Sequence, residues 1–296
     1  MRYRTMGKTD LKVSELGLGT SKGLVEKLSA REGERLVSRA IDLGVNFIDT
    51  ARHYGRGEAE TRIGAAIRGR RDRVFLCTKC GTLARGGRDF SRSAILRSCE
   101  ESLSQLGTDY VDVLMLHMAG PGQLADGSEA LETLLQLRQQ GKTRFIGASI
   151  DGPLMDKAVA VPAFDVVEIT YNLADLYPEE GFFDAAARVG MGIVVKEPLA
   201  VTNFYRARPH PPWSSYLWER LQQYEFLRDE NEMSAVEIAL RFVLSSPAIH
   251  TAVQATSNME HLEFNLGLSD GIPLPPALDR MVRDCYRKAT ARPTGT

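Results

Sequence analysis

The chain passes eight times from a short apolar run to a longer amphipathic segment, and this rhythm restricts its fold more than any other feature. The apolar runs are Glu15–Thr20, Asn46–Thr50, Val74–Lys79, Val111–His117, Thr143–Ser149, Val166–Tyr171, Gly192–Pro198 and Thr251–Ala255. Several are apolar without interruption, as parallel strands are when helices cover them. The segments between them carry helix start and stop signals. Ser29 and Glu32 form a capping box, in which serine oxygen and glutamate carboxylate each accept from the other residue's backbone N–H. The helix they open has a stripe of Leu36, Val37, Ala40 and Ile41 and stops at Gly44. Ser91 and Ser128 open two further helices that stop at Gly107 and Gly141. Ser234 and Glu237 read as a second capping box.

Eight strand-then-helix units in 296 residues point to a closed (β/α)8 TIM barrel, with residues 1–296 as one domain. Arg2–Thr5 and Leu11–Val13 flank a Gly7–Asp10 turn and read as an N-terminal β-hairpin closing the barrel bottom. A C-terminal extra helix near Pro276–Lys288 falls outside the repeat. Segment 201–217 is the one long irregular stretch, and its place after the seventh strand puts it over the barrel mouth. Its Phe204, Tyr205, Trp213 and Tyr216, with Arg206 and Arg208, could pack the loop down or meet a substrate. The tail 289–296 is short and polar and contributes little to a pocket.

Composition excludes several function classes. A net charge of −1, with no block of like charge, gives no basis for a nucleic-acid or membrane-surface partner. No apolar run reaches the ~18 residues that span a bilayer, and the first residues lack a secretory apolar core, so the expected compartment is the cytoplasm. Cys77 and Cys80 have CxxC spacing, but the pair ends a strand-like run instead of opening a helix. A zinc site needs further ligands at close spacing, and none follows, so no metal is expected and the thiols read as reduced packing groups.

Active sites of such barrels gather at the carboxyl ends of the strands. Asp49 ends the second strand, and Tyr54 follows five residues later. Lys79 ends the third strand and His117 the fourth. The chemistry these four residue types can perform together is proton donation to a carbonyl oxygen. Free tyrosine has a pKa of about 10, and a neighbouring ammonium lowers it by stabilising phenolate. Lys79 can supply that ammonium, Asp49 can pair with it, and His117 can donate a hydrogen bond to the same oxygen. Each also has a structural reading: a loop cap for Asp49, a surface charge for Lys79, an interior imidazole for His117 and packing for Tyr54. A hydride must come from a cofactor, since no side chain supplies one.

The segment NFIDTARHYGRGEAETRIGAAI, with FLCTKCG and VDVLMLHMAG, resembles the aldo-keto reductases, and RYRTMGKTDLKVSELGLGT resembles their hairpin and first strand. The similarity runs from residue 2 to about residue 268. It implies a catalytic tetrad of Asp49, Tyr54, Lys79 and His117. It also implies a nicotinamide dinucleotide bound over the barrel mouth, and no GxGxxG follows any strand. The contacts it implies are Gly19, Thr20, Asp49, Ser149, Glu168, Lys196, Pro198 and Leu199, with the adenine end at Thr256, Ser257, Asn258, His261 and Asn265.

The chain departs from the family pattern at several of these positions. Ile150 stands where Asn is common, Glu168 where Gln is common, Lys196 where an aromatic ring often stacks on the nicotinamide, and Phe264 where Glu is usual. Lys196 can pair with Glu168 or reach a phosphate. The adenine end offers only His261 with hydroxyls and amides, yet helix-terminus N–H groups can hold a phosphate, so NADPH is expected, with NADH the alternative. The implied activity is reduction of a small aldehyde or ketone. Two other readings use the same barrel: a nucleotide-sensing regulatory protein with slow turnover, and an unrelated phosphate-substrate isomerase or lyase.

Overall fold

A computed structural model describes residues 1–209, 211–227 and 233–291, without the side chains of Lys22 and Trp213. Strands β1 (Tyr3–Thr5) and β2 (Lys12–Ser14) pair antiparallel as the expected hairpin. The remaining strands are β3 (Leu16–Gly19), β4 (Phe47–Asp49), β5 (Phe75–Cys80), β6 (Val111–His117), β7 (Thr143–Ser149), β8 (Val166–Thr170), β9 (Gly192–Lys196) and β10 (Thr251–Gln254). They pair parallel in sequence order, and β10 closes on β3, giving the (β/α)8 barrel.

Two apolar layers follow from the period-two alternation of the strands. Ile48, Leu76, Leu114, Ile146, Val167 and Val195 face the helices. Phe47, Cys77, Val113, Met115, Val166, Val194 and Val253 fill the barrel interior. The hairpin plugs the bottom of that interior with Met6, Leu11 and Val13, all fully buried. Its turn is tight against the barrel. Gly7 has φ +51°, and a Cβ there would fall on the Gly190 carbonyl and within 2.5 Å of the Gly192 nitrogen.

The Ser29 capping box is complete, and Ser91 and Ser128 accept from Ala94 and Leu131 N–H as their spacing predicts. Ser234 forms only half of its box. Glu237 turns instead to Arg241, one turn along the helix, which also holds Asp270. The last helix, Pro276–Thr290, lies outside the repeat, with Arg283 pairing to Glu179. No helix among the described residues is long and apolar enough to cross a membrane. All four cysteines are free, and Cys77, Cys80 and Cys99 are buried.

Segment 201–217 is more ordered than its composition suggests. It forms 3-10 turns at Ala200–Tyr205 and Pro212–Ser214 and then enters the helix Ser215–Leu221. Phe204 is buried against Tyr205, which is exposed, while the Tyr216 hydroxyl reaches Asp175 at 3.4 Å. The side chain of Trp213, His210 and tail residues 292–296 lie outside the described residues.

Candidate active site

The alternation that buries Phe47, Cys77, Met115, Val166 and Val194 inside the barrel also directs residues two positions further along inward. Those residues are Asp49, Lys79, His117, Glu168 and Lys196. A polar layer therefore caps the apolar interior at the carboxyl ends of the strands. Tyr54 joins it from the 3-10 turn Tyr54–Gly57 that follows β4, where Gly55 and Arg56 take left-handed conformations.

Lys79 lies at the centre. Its Nζ donates to Asp49 Oδ1 and to the Thr50 carbonyl at 3.2 Å, and lies 3.2 Å from Glu168 Oε1. The same nitrogen is 5.8 Å from the centroid of the Tyr54 ring. Burial alone would neutralise the lysine, but Asp49 first and Glu168 second hold its pKa well above the ordinary range. Asp49 is pushed up to about 7, by burial and then by the Glu168 charge, against the pull of Lys79. Glu168 goes the other way: burial would raise it, yet Lys79, Lys196 and Ser149 hold it below the usual carboxylate range.

These charges correct one expectation. Lys79 does pull the Tyr54 pKa down, but burial is the larger effect, and Asp49 and Glu168 add to it. The net shift is upward, so the phenol stays protonated throughout the physiological range. His117 faces Tyr54 edge-on, with ring centroids 6.2 Å apart and planes at 86°. Burial, followed by the Lys79 charge, lowers its pKa to about 2, so the imidazole is neutral. Its buried Nδ1 has no partner.

Sequence reasoning missed two groups here. His53 packs 4.6 Å from the Tyr54 ring and 4.8 Å from the His117 ring, and burial lowers its pKa to about 4. Its place immediately before Tyr54 was the available signal. Asp151 pairs with Lys196 at 2.9 Å, and Lys196 also donates to Ser149 Oγ at 3.3 Å. The direct partner of Lys196 is thus Asp151, not Glu168. The signal was a carboxylate two residues past the end of β7.

The outer positions divide. Gly19, Thr256, Ser257, Asn258 and His261 form a rim that retains some exposure, and Leu199 is half-buried in the turn after β9. Pro198 in that turn is buried. Thr20 is buried, with its hydroxyl and amide both donating to the Asp49 carbonyl, at 2.9 Å and 3.1 Å. Asn258 caps the helix Met259–Gly267 by accepting from Glu260 and His261 N–H, so those two amides are occupied. Asn265 turns inward and donates to Gln254 Oε1 at 3.1 Å. Among the described residues no cluster of His, Cys, Asp and Glu is arranged to hold a metal ion.

A closed parallel barrel whose strand ends gather ammonium, carboxylate, phenol and imidazole around one mouth is an enzyme scaffold. The model of the aldo/keto reductase family matches residues 15–285, and the chain belongs to that family of oxidoreductases. It is 31% identical over 285 residues to the oxidoreductase YqkF of Bacillus subtilis, covering 90% of each chain. It is 30% identical over 288 residues to L-galactose dehydrogenase of Arabidopsis thaliana, covering 90% of this chain and 87% of the relative. Among solved structures, the holo form of aldo-keto reductase AKR11C1 from Bacillus halodurans matches with a TM-score of 0.84, 26% identity and 99% of both chains covered. Membership of this family leaves no place for the unrelated isomerase or lyase reading.

Proposed function

We propose that the chain reduces an aldehyde or ketone to an alcohol with a nicotinamide dinucleotide, NADPH in preference to NADH, and with Tyr54 as the proton donor. One observation carries the reading: the ammonium of Lys79, buried and held by two carboxylates, lies beside the Tyr54 ring.

The residues present fit such a cofactor. The Ser149 hydroxyl and Glu168 carboxylate offer acceptors to a carboxamide N–H, and the hydroxyls of Thr256 and Ser257 with the exposed His261 line the rim where the adenine end would lie. When bound, the cofactor supplies the hydride. Tyr54 remains protonated until a carbonyl oxygen takes its proton, and the Lys79 ammonium then stabilises the phenolate left behind. Asp49 and the Thr50 carbonyl fix the lysine in place. Neutral His117 keeps one N–H to donate to the same oxygen without competing as an acid. A positioned acid contributes about 10²–10⁴-fold to such a step.

The test is NADPH oxidation, followed at 340 nm, with aromatic aldehydes, small ketones and aldoses, plus L-galactose with the oxidised cofactor because a relative carries that name. The reading predicts carbonyl-dependent turnover with some members. Tight nucleotide binding with no turnover across the panel would favour the nucleotide-sensing reading instead.

A further inference from the structure

Three carboxylates face two ammonium groups in the polar layer of the mouth: Asp49 and Glu168 on Lys79, and Asp151 on Lys196. Asp49 with Lys79, and Asp151 with Lys196, would each balance alone. The excess charge is that of Glu168, at the position where the family commonly has a neutral amide. The surrounding groups do not offset it. His53 and His117 are neutral and Tyr54 is protonated, while Glu197 beside Lys196, pushed up to about 7 by burial, is neutral below that value and a further anion above it, so none of the four supplies positive charge. Against its burial, Lys79 first, then Lys196 and Ser149, keep Glu168 ionised. Lys196 also takes the position of a stacking ring, so charge, more than ring stacking, distinguishes this nicotinamide subsite.

We propose that Glu168 makes this site hold the oxidised dinucleotide, whose nicotinamide ring is cationic, more tightly than the reduced one, whose ring is neutral. The proposal rests on the cofactor reading above. A reduced and an oxidised ring differ by one unit of charge, and a carboxylate in a partly desolvated mouth discriminates between them by Coulomb attraction. By a thermodynamic cycle, tighter holding of the oxidised form also draws carbonyl reduction on the enzyme toward alcohol.

The test is equilibrium binding without substrate at pH 8, above the value near which Asp49 titrates. NADPH is titrated by its fluorescence and NADP+ by competition. The wild type is expected to bind NADP+ more tightly than NADPH. In Glu168→Gln the ratio Kd(NADP+)/Kd(NADPH) is expected to rise about tenfold, the scale of a lost charge contact. Glu168→Asp, which keeps the charge, should leave the ratio within threefold of wild type. Lys196→Gln removes a cation and should move the ratio the other way. A Glu168→Gln ratio within twofold of wild type would overturn the proposal. If circular dichroism finds Glu168→Gln unfolded, Lys196→Gln decides, and an unmoved or raised ratio overturns it. A wild type that binds neither nucleotide sinks the cofactor reading itself, whereas binding of both with an unmoved ratio sinks only the role given to Glu168.

Discussion

Replacing Lys79 by methionine should destabilise the protein in a pH-dependent way. The Lys79 side chain is 0% exposed, and those of Asp49 and Glu168 are 5% and 3% exposed. Methionine preserves much of the volume but removes the cation that Asp49 and Glu168 share, leaving the more distant Lys196 to act on Glu168 alone. Breaking a buried ion pair from one side costs about 3–5 kcal/mol. At about 2 °C per kcal/mol for a chain of this size, Tm should fall by about 6–10 °C at pH 8. The sign with pH follows from linkage. Without the ammonium, the folded-state pKa of each carboxyl lies above its unfolded value, so the folded state binds more protons. The penalty is therefore complete above the folded pKa and is relieved as pH falls toward the unfolded value near 4. Thermal melts followed by circular dichroism at pH 8 and pH 5.5 measure it. The variant should lose markedly less relative to wild type at pH 5.5. An equal loss at both pH values, or none at pH 8, would refute the description of Lys79 as the counter-ion of two buried carboxylates.

Other consequences can be checked independently. In the folded protein a thiol reagent should modify Cys285 first, with Cys77, Cys80 and Cys99 reacting only in denaturant, because those three are buried and burial raises their pKa. Fast modification of two or more thiols would revive a redox role for the CxxC pair. Gly7→Ala should cost about 2 kcal/mol or more in urea unfolding, from the left-handed backbone and the clash with Gly190 and Gly192; unchanged stability would mean the hairpin turn is not seated on the barrel. His261→Arg should tighten NADPH about fivefold by adding a charge-assisted phosphate contact and leave NADH unchanged. Equal gains for both would place the 2′-phosphate elsewhere.

Much of the inner layer was legible because period-two alternation is a local property. In FLCTKC the inward positions Cys77 and Lys79 are separated by one residue, and in VLMLH the inward Met115 predicts an inward His117. Strand ends were less legible. Glu15 is drawn to Arg4 and Ser269 instead of continuing β3, and Ala255 is already exposed past β10. At Ser234 the cap is half-formed because Glu237 pairs with Arg241 one turn along its own helix, a local competitor to the capping box, and Arg241 also pairs with Asp270 far along the chain. The sign of the Tyr54 shift was hidden as well. It depends first on burial, then on Asp49 and on Glu168 from β8, and neither the burial nor the approach of Glu168 is revealed by spacing around Lys79. Asn265 sits on a rim helix by sequence, but its helix face turns it toward Gln254, and only packing decides that.

The assignment of Tyr54 as proton donor is tested most directly by Tyr54→Phe, which keeps the ring and removes only the hydroxyl. The measurement pairs kcat for carbonyl reduction with the Kd of NADPH on the same preparation. Turnover should drop by at least about a hundredfold, the lower bound for a positioned acid, while the Kd stays within about threefold of wild type. A variant that turns over at the wild-type rate would contradict the account, since the buried ammonium of Lys79 would then be serving the barrel and not a reacting phenol.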